Sequence, residues 1–166
     1  MRLIHGLPLI VALAGCSQTP VTPAGGARTI VPTVPTVTSQ VEVFNHLPKD
    51  FDRSAWLFAQ LETVPAIRSA KVAPARLELN DGQMSGYTGC NGVFGSYQRE
   101  NTRIQFTGAG ISRRFCTELA DQEKRMLDVL SRTRFGMIAK ANGYLLLLDE
   151  NKAILAELLP MPPKDN

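Results

Sequence analysis

Leu77 and Leu79 alternate with Arg76, Glu78 and Asn80, a period of two that predicts a half-buried β-strand. Asp81-Gly82 then supplies a tight turn, and Gln83 to Thr88 reads as the return strand. Phe94 to Gln98 and Arg103 to Phe106 form a second predicted pair, turning near Asn101-Thr102. Asn91-Gly92 and Asn142-Gly143 are further turn dipeptides; Phe135 to Ala139 and Tyr144 to Asp149 bracket the latter. Tyr144-Leu145-Leu146-Leu147-Leu148 is apolar without alternation, so this strand is expected to be covered on both faces. Ala153 to Leu158 is a final strand, and Met161-Pro162-Pro163 ends the order. Between Cys116 and Arg132 the period lengthens. Leu119, Ala120, Glu123, Met126, Leu127 and Leu130 follow helical spacing, with charges on the other face. Thr117 is the expected N-cap, and Glu118 and Asp121 suit the positive end of the helix dipole. The pattern predicts a mainly β, α+β fold: a strongly curved antiparallel sheet or small barrel-like body with one packed helix.

The N-terminal region follows neither period. Arg2 precedes a largely apolar run from Leu3 to Ala14, too short to cross a bilayer as a helix. The run leads into Leu13-Ala14-Gly15-Cys16, which resembles the lipobox of bacterial lipoproteins. The resemblance implies cleavage before Cys16, lipidation of its thiol and acylation of the new N-terminus. Two or three acyl chains would then anchor the protein stably, each buried methylene adding about 0.8 kcal/mol. Ser17, where Asp favours inner-membrane retention, implies an outer-membrane protein facing the periplasm. From residue 17 to about 48 the chain is rich in Pro, Thr and Gly, including the repeat Val31-Pro32-Thr33-Val34-Pro35-Thr36-Val37. Proline fixes φ and removes donors, so this stretch prefers extended polyproline II. It reads as a tether spanning roughly 30 Å as a coil and up to ~100 Å extended. The expected organisation is a signal at 1–15, lipidated Cys16 and tether at 16–48, a folded domain at 49–160 and a tail at 161–166.

With 166 residues and a formal charge of +3, lowered to +2 by loss of Arg2 with the signal, the chain suits one modest domain. The basic pairs Arg113-Arg114 and Lys124-Arg125 are interleaved with acids and read as a solvated face. No nucleic-acid partner is expected of an exported chain. Once Cys16 is lipidated, Cys90 and Cys116 remain. In an oxidising compartment they read as one disulfide, the alternative being two buried free thiols. Catalytic candidates are few. His5 lies in the signal and His46 at the edge of the tether. A zinc site from His46, Cys90 and Cys116 lacks short ligand spacing, so no metal, cofactor or catalytic residue is assigned. The glycines at 86, 89, 92 and 95 indicate tightly turned backbone and not a phosphate loop.

Ser85-Gly86-Tyr87-Thr88-Gly89-Cys90-Asn91-Gly92-Val93-Phe94-Gly95-Ser96-Tyr97 resembles the signature of the META (HslJ-like) domain, Gly-x-x-Gly-Cys-Asn-x-x-x-Gly-x-Tyr. Gly86, Gly89, Cys90, Asn91, Gly95 and Tyr97 fill it. Ser112-Arg113-Arg114-Phe115-Cys116 resembles the second block, usually Thr-Arg-Met-Ala-Cys, with departures at 112, 114 and 115. The resemblance extends from Trp56 to about Leu159. It implies a barrel-like antiparallel fold with a packed helix, an envelope location and no established catalysis, with links to heat shock or novobiocin resistance. Three functions are compatible. The first is a non-catalytic envelope lipoprotein that binds or stabilises another envelope component under stress. The others are a small-ligand binder using the barrel mouth or the groove beside the helix, and an enzyme using Cys90 or Cys116. The tether and the missing catalytic constellation favour the first.

Overall fold

The computed structural model describes residues 41–162. The strands are β1 (Ala55–Leu61), β2 (Val64–Pro65), β3 (Arg76–Asn80), β4 (Gln83–Tyr87), β5 (Gly92–Glu100), β6 (Arg103–Ile111), β7 (Phe135–Ile138), β8 (Leu145–Leu148) and β9 (Ile154–Pro160). Helix α1 (Ala120–Arg132) lies between β6 and β7, and 3₁₀ turns occupy Phe51–Arg53 and Thr117–Leu119. Every strand pairing is antiparallel. The order runs β2-β1-β3-β4-β5-β6-β7-β8-β9, and β1 also pairs with β9, so the sheet closes into a ring. The curved antiparallel sheet with one helix expected from the sequence is the fold observed.

Closure follows from alternation and bulges. In β3, Leu77 and Leu79 are buried while Asn80 is exposed. Register shifts interrupt β1 against β9, β5 against β6 and β8 against β9. Each extra residue bends its strand and increases twist, which lets the sheet curl onto itself. The Asp81-Gly82 turn has φ of 45° and 87°, two consecutive positive values that suit a two-residue hairpin between right-twisted strands.

Helix α1 contacts β6 on one side of the ring and β1 and β9 on the other, so it spans one mouth. Met126, Val129 and Leu130 enter the same core as Leu77, Met84, Ile104 and Leu145. Full burial of each contributes about 2 kcal/mol. The helix start differs from the sequence reading. Thr117 opens the 3₁₀ turn, and no side chain caps α1. Ala120 is exposed, whereas Gln122 and Val129 are buried.

All four leucines of β8 are buried, as the unbroken apolar run predicts. Leu145 and Leu147 face the main core, while Leu146 and Leu148 join Ala139 and Ile154 in a second cluster. Val41 and Val43 pack on that cluster. The backbone there is paired: Val43 bridges Ala139, the Phe44 amide donates to the Ile138 carbonyl, and Lys140 donates to that of Glu42. Leu47 is buried too. The segment from Val41 to Leu47, read from composition as the end of the tether, therefore belongs to the folded body. Two valines and a leucine at suitable spacing outweigh its neighbours' polarity. Cys16 and most of the expected tether lie outside the described residues, as does the tail beyond Pro162. β1 and β2 were not anticipated, and β8 begins at Leu145, one residue after the expected Tyr144.

Candidate functional site

Thr88, Gly89, Cys90 and Asn91 form the turn between β4 and β5, where the Thr88 amide donates to the Asn91 carbonyl. Asn91-Gly92 was expected to be the turn pair. Instead Gly92 already pairs with Tyr87, and the positive φ belongs to Gly89, at 102°. A Cβ on Gly89 would also sit 3.0 Å from the Gln122 amide nitrogen, so both conformation and space require glycine. Gly86 and Gly95 are needed for close approach: added Cβ atoms would lie 2.5 Å from the Arg76 carbonyl oxygen and 2.9 Å from that of Thr107.

Cys90 is joined to Cys116 by a disulfide with Cα atoms 6.1 Å apart. It fastens the turn to the segment entering α1. Asn91 is 2% exposed, and its amide is fully used. Its nitrogen donates to Glu123 Oε2 at 2.8 Å and to the Arg114 carbonyl at 3.1 Å. Its oxygen accepts from the Arg114 amide at 2.7 Å and from Ser112 Oγ at 2.9 Å. Thr88, fully buried, donates its hydroxyl to Glu123 Oε2 at 3.0 Å and accepts from the Cys90 and Asn91 amides. The Gln122 amide nitrogen donates to the Thr88 carbonyl at 2.6 Å, while its oxygen accepts from the Ile67 amide. Gln122 was not singled out from the sequence, and Ser112 entered only as a departure in the second block. The polar Gln122 beside Glu123 was the available signal, masked because apolar spacing defined the buried helix face.

Tyr97, the last signature residue, belongs to a different node. Its hydroxyl donates to Asp52 Oδ1 at 2.7 Å, and Arg99 reaches both oxygens of the same carboxylate. Asp52 lies in the first 3₁₀ turn, so β5 holds the segment entering β1. The Arg99 hydrogen bond keeps the Asp52 carboxyl below its ordinary range, against partial desolvation. Burial, then the Asp52 hydrogen bond, pushes the Tyr97 phenol up to about 12.

Neither node holds a free thiol or an imidazole. The sulfurs are bonded to each other, which leaves no thiolate for attack or metal binding while the bridge is intact. Among the described residues no group of three or more His, Cys, Asp or Glu is arranged to hold a metal ion. No buried side-chain polar atom among them lacks a hydrogen-bond partner. His46 is exposed and far from the cysteines in sequence; its ring lies 6.1 Å from that of Phe44. A groove of about 870 Å³ opens elsewhere, lined in part by Phe51, Trp56, Leu79, Ile138 and Met161, with Ser54 and Glu78 as polar members.

The META domain family model matches residues 49–159. This chain belongs to the META domain family. The match places both nodes within the family domain. A protein from Burkholderia xenovorans, solved by NMR, is similar in fold at 22% identity and a TM-score of 0.58, covering 86% of this chain and 99% of its own. A second NMR structure has 19% identity and a TM-score of 0.51, covering 67% of this chain and 92% of its own. At these identities the likeness concerns the META fold alone. No curated protein matches the chain significantly. Among the described residues no helix is long and apolar enough to cross a membrane.

Proposed function

We propose that this META-domain protein is a lipid-anchored component of the cell envelope that acts by binding or stabilising another envelope molecule, and not by catalysis. The observation that carries the non-catalytic part is the closed hydrogen-bond accounting at the signature. Cys90 and Cys116 are bonded to each other, and Thr88 and Asn91 hold Glu123 through Oε2; reactive groups committed to structure are poor nucleophiles or bases. The anchoring part rests on Leu13-Ala14-Gly15-Cys16. Outer-membrane attachment facing the periplasm and a role in envelope stress or drug tolerance complete the reading.

The test has two arms. In cells, Cys16→Ala should block maturation and remove the protein from the membrane fraction; normal maturation with retention in the pellet would refute the anchor. Wild type and His46→Ala should rescue an envelope-stress phenotype equally, and an unanchored secreted form poorly. Loss of rescue by His46→Ala at unchanged abundance would restore an enzymatic or metal-site reading.

The 870 Å³ groove supports a second reading, the binding of a small amphipathic ligand, because its size lies in the range of ligand pockets. Trp56, the sole tryptophan, lines it. A ligand seated there should shift tryptophan emission saturably, and Ser85→Phe, at an exposed position of the lining, should block the shift.

A further inference from the structure

Single exposed apolar side chains are ordinary on a protein surface; a gathering of them beside unpaired cations is not. Ile67, Phe94 and Phe115 are 40%, 58% and 94% exposed. Hydrogen bonds tie the segments of Ile67 and Phe115 to the signature turn, and Phe94 follows that turn in β5. The Ile67 amide is held by Gln122, which also holds the Thr88 carbonyl. Phe94 lies two residues into β5, where Gly92 donates to Ser112 Oγ. Phe115 follows Arg114, whose amide and carbonyl are both clamped by Asn91.

The same loops carry the exposed cations Arg68, Lys71, Arg113 and Arg114. None forms an ion pair among the described residues; Arg68 Nη2 donates to the Phe58 carbonyl at 3.5 Å. The acids nearest along the chain to Arg113 and Arg114 are Glu118 and Asp121, past the disulfide at the start of the helical region, and neither forms an ion pair with them. Phe115 is held in water by a backbone fixed on both sides, by Asn91 at 114 and by the Cys116 bridge. A side chain presented this way loses little freedom on binding. The cavity beside it, lined by Cys90, Asn91 and Glu123, is small, about 160 Å³, so Phe115 stands out from a shallow surface.

We propose that this end of the domain docks on an anionic phospholipid surface. Phe115, flanked by Phe94 and Ile67, enters the boundary between headgroups and acyl chains. Arg113, Arg114, Arg68 and Lys71 pair with headgroup phosphates, their stems lying along the interface. The inference goes beyond the anchor reading and does not depend on it.

The test uses the purified chain from Ser17 onward, which keeps all described residues and carries neither the apolar run before Cys16 nor an acyl group. Amide hydrogen exchange is followed on phosphatidylcholine vesicles with and without phosphatidylglycerol. Exchange in 66–72 and 112–116 should slow only when phosphatidylglycerol is present, and high salt should reverse the effect. Combining Arg113→Gln, Arg114→Gln and Phe115→Ser should weaken vesicle binding by roughly 30-fold or more, from the two lost charges alone. Exchange in β5 and α1 should stay unchanged, as the control for folding. Equal slowing on both vesicle types, no slowing on either, or undiminished binding by the triple variant would overturn the proposal. Slowing seen on whole envelopes but not on vesicles would overturn it in favour of a protein partner. Because acylation is absent throughout, these outcomes are separable from failure of the anchor.

Discussion

Two polar nodes fasten the ring, and they use different physics. The signature turn is held by a covalent bond and by a buried amide whose donors and acceptors are all matched. The Tyr97–Asp52–Arg99 node is held by an ionised carboxylate between a phenol and a guanidinium, with the two charged side chains partly open to water. The disulfide is covalent and the matched amide carries no net charge of its own, so salt screens this node little. A partly exposed ion pair is screened and contributes modestly. The first node should therefore fail to reductant and the second to acid or alkali. This difference also shows why one signature spans both: Asn91 organises the loop end, and Tyr97, six residues along the same strand direction, holds the segment that enters β1.

The largest break should come from the covalent link. Replacing Cys90 and Cys116 together by Ala should lower unfolding free energy by about 2–4 kcal/mol. Urea unfolding of the oxidised parent, the reduced parent and the double variant would measure it. The last two should agree, and a double variant as stable as the oxidised parent would show that the bridge contributes nothing.

Removing the amide should cost slightly less. Asn91→Ala strips partners from Ser112, Glu123 and both backbone groups of Arg114, with an expected loss of about 2–3 kcal/mol. Asn91→Asp should lose more near neutral pH, because it sets a second carboxyl group against Glu123. Thermal unfolding of both variants compares them directly.

The charged node sharpens the contrast through pH. Asp52 has a folded pKa below 3.8, so its contribution is present above that value and is lost as pH falls through the depressed one. Asp52→Asn should cost about 1–2 kcal/mol at neutral pH and flatten the loss of stability below about pH 4. Tyr97 acts at the other extreme. The unfolded phenol ionises near 10.0 and the folded one near 12, so the unfolded state gains as pH rises between them. Tyr97→Phe should cost about 1 kcal/mol and remove that alkaline slope. Identical pH profiles for parent and variants would show that the node does not titrate as its geometry requires.

The smallest effect belongs to the attachment with neither device. Val41 to Leu47 is held by a few backbone bonds and apolar contact. Limited proteolysis of the parent should leave a fragment beginning near Val41. Val43→Asp should shift the cut towards Asp50, with a stability change under about 1 kcal/mol. A parent fragment that already begins at Asp50 would show that the segment is not held.

Much of the sheet was legible because period-two patterns and glycine turns are local signals. β3, β4, β8 and the Asp81-Gly82 turn came from their own residues. β1 was missed although Trp56, Phe58 and Leu61 are buried, because its half-apolar partners Ala55, Leu57 and Ala59 hide the alternation. The end of the tether was misplaced because composition averages over the two valines that matter.

By itself, the sequence determined the helix and most of the strands, offered Cys90 and Cys116 as a pair with free thiols as the alternative, and marked the signature glycines as serving backbone geometry. These follow from residue type and spacing within short windows. Only the tertiary structure decided that β1 meets β9 to close the ring, that Asn91 is matched by groups 21 to 32 residues away, and that Asp52 joins Tyr97 across 45 residues. Such pairings depend on where the chain returns in space, and no local pattern encodes the return.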